Sequence, residues 1–187
     1  MKELSLNILD VTENSVKAGA ALTQIRLEQT AEALTITIED DGCGMDAETV
    51  KRVTDPFYTT RTTRSVGLGL PLLRLEAEQT GGTLTVSSRH EAAHPTNHGT
   101  IVQAVFCTNH IDCPPLGDMV ATMVTLIQGH PKRDFLFTHT RPDGPPVELD
   151  TRQLRQILED VPLDGYEVLQ WIQGYLREAY AAEDAEE

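Results

Sequence analysis

The sequence is poor in cysteine and contains no long apolar run. Its three cysteines, Cys43, Cys107 and Cys113, form no C-x-x-C pair, so neither a disulfide framework nor a zinc-binding knuckle is supported. No stretch approaches the roughly 18 apolar residues of a membrane-spanning helix. The first residues also lack the apolar segment of a secretion signal. We therefore expect a cytoplasmic protein with reduced thiols and no membrane insertion.

Basic residues are also scarce. The 187 residues include 15 lysines and arginines against 29 aspartates and glutamates, which gives a net charge of −14. Residues 109–187 carry 6 of the basic and 15 of the acidic residues. Because such a chain repels phosphate backbones, we predict no nucleic-acid partner. The G-x-x-x-x-G-K-[ST] pattern of Walker-type phosphate loops is absent as well.

Hydrophobic periodicity predicts helices and strands along the whole chain. The predicted helices cover 3–18, 46–53, 68–79, 117–128, 151–158 and 165–180. The predicted strands cover 23–27, 34–39, 83–87 and 100–106, followed by a hairpin of 135–138 and 147–149. Residues 55–67 form a long polar loop in this interpretation.

Pro114 and Pro115 indicate a linker within 109–115. They predict a boundary between a first region, 1–108, and a C-terminal helical and hairpin extension, 109–187. The last predicted helix carries apolar residues at helical spacing: Val168, Trp171, Ile172, Tyr175 and Leu176. We interpret this stripe as part of the core. The alternative is a self-association face of Trp171, Tyr175 and Tyr180 that would form a homodimer.

Asp10, Asn14 and Lys17 are candidate ligands on the first predicted helix. Asp10 and Asn14 are four residues apart, so they share a helix face. An amide oxygen beside a carboxylate suits a hydrated Mg²⁺, which prefers oxygen ligands and keeps several waters. Lys17 follows one turn later and can reach a phosphate. A solvated helix face is the simpler explanation if this segment is considered alone.

A glycine-containing segment, Asp40-Asp41-Gly42-Cys43-Gly44-Met45, directly follows the second predicted strand. Glycines at this spacing let the backbone approach a flat ligand closely. The Asp40 carboxylate at the strand end can accept a hydrogen bond from an exocyclic amine. An ordinary Asp-Gly turn is the alternative.

A second glycine segment, Gly67-Leu68-Gly69-Leu70, opens the helix predicted over 68–79. Amide groups at a helix start can point at an anion, and the helix dipole adds to that attraction. Upstream, Thr59 and Thr60 precede two arginines in the polar loop. The loop could close over a triphosphate as a lid, with Arg61 or Arg64 as charge partner.

In their order and spacing, these segments resemble the ATP-binding domain shared by sensor histidine kinases, gyrase, the heat-shock chaperone and MutL. Asn14 sits where that superfamily's asparagine holds Mg²⁺, and Lys17 matches a lysine of histidine kinases. Asp40 matches the aspartate that reads the adenine amino group. Phe57 lies in a Pro-Phe-Tyr-Thr-Thr-Arg string similar to the histidine-kinase lid. Thr100, after Gly99, matches a threonine that helps hold adenine.

The resemblance covers residues 1–107 and implies an α/β (α+β) fold, a two-layer sandwich of a mixed β-sheet with helices on one face. The C-terminal residues would add a small α/β appendage. The resemblance implies ATP and Mg²⁺ as cofactors. Asn14 would be a ligand of the metal, and Asp10 is a second candidate ligand. The nucleotide-binding residues that the resemblance implies are Asn14, Lys17, Asp40, Gly42, Gly44, Met45, Phe57, Thr59, Thr60, Gly67, Leu68, Gly69, Leu70 and Thr100.

Two departures from the superfamily pattern guide the functional hypotheses. Asp10 occupies the position of a catalytic glutamate, and its shorter side chain makes it a weaker candidate base. No helical hairpin with a phosphoacceptor histidine precedes the first helix, so we expect the acceptor on another protein.

We favour a protein kinase that phosphorylates a histidine, serine or threonine of a partner in bacterial signalling. One alternative is a nucleotide-gated interaction module similar to anti-sigma-factor regulators, in which the ordered lid binds a partner protein. Another is a clamp-type ATPase, for which the residues after 108 look too short and too helical.

Overall fold

The computed structural model describes residues 3–54 and 69–182 of the chain. Its helices are α1 (Leu4–Lys17), α2 (Ala47–Thr54), α3 (Gly69–Gln79), α4 (Met119–Gly129), α5 (Thr151–Leu158) and α6 (Tyr166–Ala181). Its strands are β1 (Leu22–Gln29), β2 (Ala33–Asp40), β3 (Thr83–Arg89), β4 (Gly99–Cys107), β5 (Asp134–Arg141) and β6 (Gly144–Asp150). Among the described residues, no helix is long and apolar enough to cross a membrane.

Aspartates fix the starts of three helices. Asp46 accepts the Thr49 amide at 2.7 Å before α2, and Asp118 accepts the Ala121 amide at 2.8 Å before α4. Asp150 accepts the Arg152 amide at 2.9 Å before α5. Each carboxylate satisfies an amide that has no partner inside its own helix. The helix predicted over 46–53 is therefore confirmed, with Asp46 as its cap.

The strands form one six-stranded sheet with the order β3-β4-β2-β1-β5-β6. Neighbouring strands pair antiparallel, with the exception of β1 and β5, which are parallel. The predicted mixed sheet and the predicted hairpin of β5 and β6 are thus confirmed.

One face of this sheet is buried beneath the helices. Leu27 opposes Ile36 across the β1–β2 pair, and Ile38 opposes Val102 across the β2–β4 pair. These side chains belong to one buried cluster with Leu73 of α3 and residues of α1 and α4. On the opposite face, residues such as Arg26, Glu28 and Gln103 are exposed. The alternation buries one apolar face, as expected for a two-layer sandwich.

Residues 109–182 continue the sheet of the first region. The parallel pair of β5 with β1 joins them, because Ile25 lies opposite Phe137 in its register. The amides of Leu4 and Ser5, at the start of α1, donate to the carbonyls of Pro115 and Leu116 at 3.0 and 2.7 Å. The predicted boundary at 108 therefore falls inside a shared sheet and core, and a separate role for the extension stays a prediction.

The apolar stripe predicted on the last helix divides between core and surface. Val168, Ile172 and Leu176 are buried against the sheet side of α6. In contrast, Trp171 is 55% exposed and Tyr175 is 39% exposed. Their assignment to the core was wrong, since helical spacing alone cannot distinguish an inward aromatic from one on the flank of the same stripe.

Candidate functional site

A cavity of about 310 Å³ lies among α1, α2, β2, β4 and the start of α3. It is lined by Val11, Asn14, Ser15, Lys17, Ala18, Asp40, Gly44, Met45, Thr49, Val53, Leu70, Thr100 and Val102. Seven of these are predicted nucleotide-binding residues: Asn14, Lys17, Asp40, Gly44, Met45, Leu70 and Thr100. The fold thus brings together residues that are up to 86 positions apart in the chain. A volume of this size suits a small organic ligand.

The Asp40 carboxylate is held at the end of β2 by two hydrogen bonds. Its Oδ1 accepts the Gly42 amide at 2.9 Å, and its Oδ2 accepts the Ser15 hydroxyl at 2.7 Å. An ionised carboxylate has about four acceptor positions, so it keeps capacity for a further donor in the cavity. The arrangement therefore fixes an acceptor against the cavity wall before any ligand arrives.

Glycine is required at two backbone positions beside the cavity. Gly44 has φ +68°, and a Cβ there would lie 1.9 Å from the Arg89 carbonyl oxygen. Gly99 has φ +133°, and a Cβ there would lie 1.9 Å from the Asp40 carbonyl oxygen. No other residue could adopt these conformations with such close backbone neighbours. The main chain beside the cavity is therefore tightly packed at these two positions.

Thr100 belongs to a hydroxyl network at the other side of Asp40. The Ser88 hydroxyl lies 2.8 Å from the Thr100 hydroxyl and donates to the Gly99 carbonyl at 3.1 Å. The same Ser88 oxygen accepts the Met45 amide at 2.7 Å. This network links β3 and β4 to the segment after β2. It orients the Thr100 side chain, which is buried, at the wall of the cavity.

The polar residues of α1 divide between the cavity and its surroundings. Asn14 and Lys17 line the cavity from the last turns of the helix. Asp10 is exposed one turn earlier and is not among the lining residues. A Cβ added to Gly69 would lie 3.2 Å from the Asp10 Cβ, so Asp10 contacts the start of α3. The structure thus places Asp10 next to Gly69, the neighbour in sequence of the lining residue Leu70.

The apolar lining comes from both layers of the fold. Val11 and Leu70 are on helices, Val102 is on β4, and Met45 follows β2. Val53 and Thr49 of α2 close another side. Hydrogen bonds from Thr49 lower the pKa of the Asp46 carboxyl that caps this helix. The cavity therefore combines apolar walls with one fixed carboxylate, the usual composition of a site for a small organic ligand.

The remaining predicted site residues do not all fall within this description. Gly42 is buried and donates to Asp40 but does not line the cavity. Gly69 starts α3. The others lie outside the described residues: Phe57, Thr59, Thr60, Arg61, Arg64, Gly67 and Leu68.

The sequence interpretation missed the roles of two serines. Ser15 lies in the helix predicted over 3–18, and its hydroxyl holds Asp40. Ser88, one residue beyond the strand predicted over 83–87, holds Thr100 and Met45 through its hydroxyl. A serine at a buried helical position was the available signal for Ser15, because a buried hydroxyl needs a hydrogen-bond partner. No local signal marks Ser88, since its partners come from distant strands.

Residues 2–109 match the family described as histidine kinase-, DNA gyrase B- and HSP90-like ATPases. A sensor histidine kinase of Bacillus subtilis, YvrG, is 33% identical over 99 residues, which make up 50% of this chain and 16% of that protein. The signal transduction histidine-protein kinase AtoS of Escherichia coli is 36% identical over 91 residues, covering 47% of this chain and 14% of that protein. The chain thus spans less than a fifth of the length of these relatives.

Two solved structures share the fold over a larger part of the chain than the family match does. The N-terminal domain of a DNA repair protein has a TM-score of 0.56 at 17% identity and covers 80% of this chain and 53% of its own. The MutL ATPase domain of Aquifex aeolicus, solved with ADP, has a TM-score of 0.53 at 12% identity and covers 85% of this chain and 70% of its own. The shared fold therefore extends beyond residue 109 into the C-terminal strands and helices.

Proposed function

The chain belongs to the family of histidine kinase-, DNA gyrase B- and HSP90-like ATPases, and from this we propose that it binds Mg-ATP in the cavity and transfers the γ-phosphate to a partner protein. The observation that carries the proposal is the Asp40 carboxylate, fixed by Ser15 and Gly42 against an apolar cavity. The first region would supply the nucleotide site, and residues 109–187 would serve as an extension with a different role.

The adenine end of the proposed site is formed by Asp40 and the apolar walls. The exocyclic amino group of adenine would donate to Asp40, since the carboxylate has acceptor capacity left after its two internal hydrogen bonds. Met45, Val102 and Leu70 would contact the faces and edge of the ring. Thr100, held by Ser88, would offer a hydroxyl on the same side.

The phosphate end would lie toward Asn14 and Lys17. The Asn14 side-chain oxygen suits a Mg²⁺ ion that keeps most of its waters, and the Lys17 ammonium suits a phosphate oxygen. When bound, Mg²⁺ would neutralise charge on the phosphate oxygens. We further propose that Gly67, Leu68 and Gly69 approach the phosphates. Phe57, Thr59 and Thr60 would cover the nucleotide, and Arg61 and Arg64 would offset phosphate charge.

The proposed reaction is a phosphoryl transfer to a side chain of another protein. The bond between the γ-phosphorus and the bridging oxygen breaks, and ADP leaves with that electron pair. A new bond forms to a histidine nitrogen or a hydroxyl oxygen of the acceptor, which loses its proton. Asp10, which contacts the start of α3 next to the lining residue Leu70, is the candidate to receive that proton. Catalysis of this kind depends mainly on positioning and charge stabilisation, which the proposed groups would provide.

Incubation of the pure protein with γ-labelled ATP and Mg²⁺, alone and with lysate of the source cells, tests the transfer. Label on a second protein is the expected result, and loss of that label in acid would identify phosphohistidine. Nucleotide-dependent retention of a partner without label would instead support the nucleotide-gated interaction module. Release of free phosphate by the protein alone would support a clamp-type ATPase.

The binding step is tested separately by calorimetry with Mg-ATP. Replacement of Asn14 by alanine should abolish measurable binding, because the metal loses its proposed protein ligand. Asn109→Ala is the matched control, since Asn109 is exposed and is not among the lining residues. Equal affinity in the two variants would contradict the assignment of the site.

A further inference from the structure

Trp171 and Tyr175 form an exposed aromatic pair on α6. Their rings are stacked, with centroids 5.4 Å apart and an angle of 9° between the planes. Trp171 is 55% exposed, although a tryptophan normally buries most of its large apolar surface. The pair lies near β6, at the edge of the sheet opposite to β3, and so is remote from the cavity beside β2 and β4.

This pair is held rigidly although it is exposed. The Tyr175 hydroxyl donates to the Glu148 carbonyl of β6 at 3.1 Å, which fixes the ring against the edge strand. The other side of α6 is anchored by the buried side chains of Ile172 and Leu176. Rigid aromatic rings lose little conformational entropy when they bind, so a pre-ordered pair is well suited to recognition.

Carboxylates flank the aromatic pair at helical spacing. Glu167 lies four residues before Trp171, and Glu178 lies three residues after Tyr175. At 100° and 1.5 Å per residue, the four side chains share one face over about 16 Å. Gly174 adds no side chain to this face, and a Cβ there would meet no other described heavy atom within 4 Å. The face therefore combines two exposed rings with two negative charges.

The region that contains this face has an excess of the same charge. Its described part, residues 109–182, holds 11 acidic and 6 basic residues. Arg177, the basic residue within α6, lies about 120° around the helix from Trp171 and so points away from it. A cation brought to the rings would therefore meet favourable fields from both neighbouring carboxylates.

We propose that Glu167, Trp171, Tyr175 and Glu178, together the α6 aromatic face, dock a basic segment of a partner protein. An arginine or lysine side chain of that segment lies over the rings, and neighbouring basic residues pair with the two glutamates. Charge complementarity selects this occupant over a second copy of the chain. A two-fold contact through this face would bring the same carboxylates together.

The test measures binding of a labelled peptide of alternating arginine and glycine to the full chain by fluorescence anisotropy. Trp171→Leu keeps an apolar side chain but removes the aromatic face that attracts cations. We expect the Kd to rise about five- to thirtyfold, the range of a cation–π contact that becomes partly desolvated. Unchanged affinity in this variant would overturn the proposal, whereas a smaller loss in Trp171→Phe would support it.

The contribution of charge is tested in the double variant Glu167→Gln with Glu178→Gln. Its matched control neutralises two exposed glutamates elsewhere, Glu32→Gln with Glu91→Gln, and changes the net charge equally. We expect a larger loss of peptide affinity in the first pair than in the control. Equal losses would mean that the peptide responds only to net charge, which would overturn the proposal.

Sedimentation of the wild type and of Trp171→Leu tests the alternative occupant of this face, a second copy of the chain. We expect the two proteins to have the same mass in solution, because the proposed occupant of this face is a basic segment and not a second copy of the chain. A wild-type dimer that becomes monomeric in the variant would identify the face as a self-association interface instead. The peptide experiments require no nucleotide, so their outcome is independent of the proposed phosphoryl transfer.

Discussion

At the cavity, Asp40 presents a carboxylate with acceptor capacity to spare, whereas near α6 the polar groups of His139, Arg141 and Tyr180 bind one another. Arg141 donates to the carbonyls of Ala179 and Tyr180 at 3.3 and 3.0 Å, and its guanidinium carbon lies 5.4 Å from the centre of the Tyr180 ring. His139 Nδ1 lies 2.9 Å from the Tyr180 hydroxyl. Both regions concentrate polar atoms. Near α6 these atoms bond to groups of the protein itself, whereas Asp40 also has acceptor capacity that faces the cavity.

The difference teaches that polar density alone does not identify a binding site. In the cluster of His139, Arg141 and Tyr180, the bonded donors and acceptors close the end of α6 onto β5, whereas the buried Arg141 Nε has no described partner. At the cavity, internal hydrogen bonds position Asp40 and Thr100 but leave them facing open space. The feature that distinguishes a candidate site is therefore a polar group that is oriented internally and still has capacity toward a cavity.

The largest effect is expected from Gly44→Ala, which would disrupt the main chain beneath the cavity. The added Cβ would lie 1.9 Å from the Arg89 carbonyl oxygen at a positive φ, so the free energy of unfolding should fall by about 4 kcal/mol. Gly81→Ala is the matched control. Gly81 also has a positive φ, +81°, but its Cβ would meet no described neighbour within 4 Å, and about 1 kcal/mol is expected. If urea denaturation gave similar losses of unfolding free energy for the two variants, the close approach of Gly44 to the Arg89 carbonyl would be contradicted.

The next effect concerns the acceptor at the cavity. Asp40→Asn keeps the shape of the side chain but removes its charge and one acceptor position. Because hydrogen bonds to a charged group contribute about 1.5 to 3 kcal/mol, we expect ATP affinity to fall about ten- to hundredfold. Asp143→Asn, an exposed site in the turn between β5 and β6, should leave affinity unchanged. Calorimetry that finds equal affinities would show that Asp40 is not the ligand acceptor.

The fold was predictable where local pattern determines structure. Hydrophobic periodicity predicted a strand over 34–39, which lies within β2, and the predicted helix over 151–158 has the bounds of α5. The parallel pairing of β5 with β1 was not predictable, because it joins segments separated by more than 100 residues and leaves no local signal. The exposure of Trp171 was missed for the same reason. Tertiary packing decides which flank of an apolar stripe faces the core.

The sequence predicted those residues of the candidate site that belong to short motifs. Asp40, Gly44 and Thr100 converge on one cavity, as their order in the chain suggested. The side chains that orient them, Ser15 and Ser88, come from other elements. The buried helical position of Ser15 indicates that its hydroxyl needs a partner but not which one, and Ser88 carries no local signal. Their hydrogen bonds are therefore evident only once the strands and α1 are assembled.

A third prediction concerns pH and the polar cluster near α6. His139 is 1% exposed, and its Nε2 donates to Gln29 Oε1 at 3.2 Å, so Nδ1 accepts from Tyr180. Burial, and then the charge of Arg141, lower the pKa of His139 to about 4. The unfolded chain therefore binds a proton near pH 6.5 that the folded chain refuses until about pH 4. Stability from this residue is present above pH 6.5 and is lost as the pH falls through that window.

Chemical denaturation at pH 7 and pH 5 measures the effect. Compared with His139→Asn, the wild type should lose about 2 kcal/mol more of its free energy of unfolding between these pH values. His94→Gln, at an exposed position, should retain the wild-type pH dependence. If His139→Asn also retained the wild-type pH dependence, the cluster would not hold the histidine neutral. The cluster would then no longer serve as an example of polar groups that only stabilise the fold.

The smallest effect is expected from Gly174→Ala and has the opposite sign to the loss at Gly44. Gly174 lies inside α6, where a Cβ would meet no described atom within 4 Å, so alanine should improve helix propensity. We expect a gain of about 0.7 kcal/mol and a rise in melting temperature of about 2 °C. Gly19→Ala is the matched control, since Gly19 also has no described neighbour within 4 Å but has φ +81°, and a loss is expected there. A lower free energy of unfolding in both variants would mean that the backbone of α6 is constrained at Gly174. The α6 aromatic face would then be more tightly packed than the absence of described atoms near Gly174 indicates.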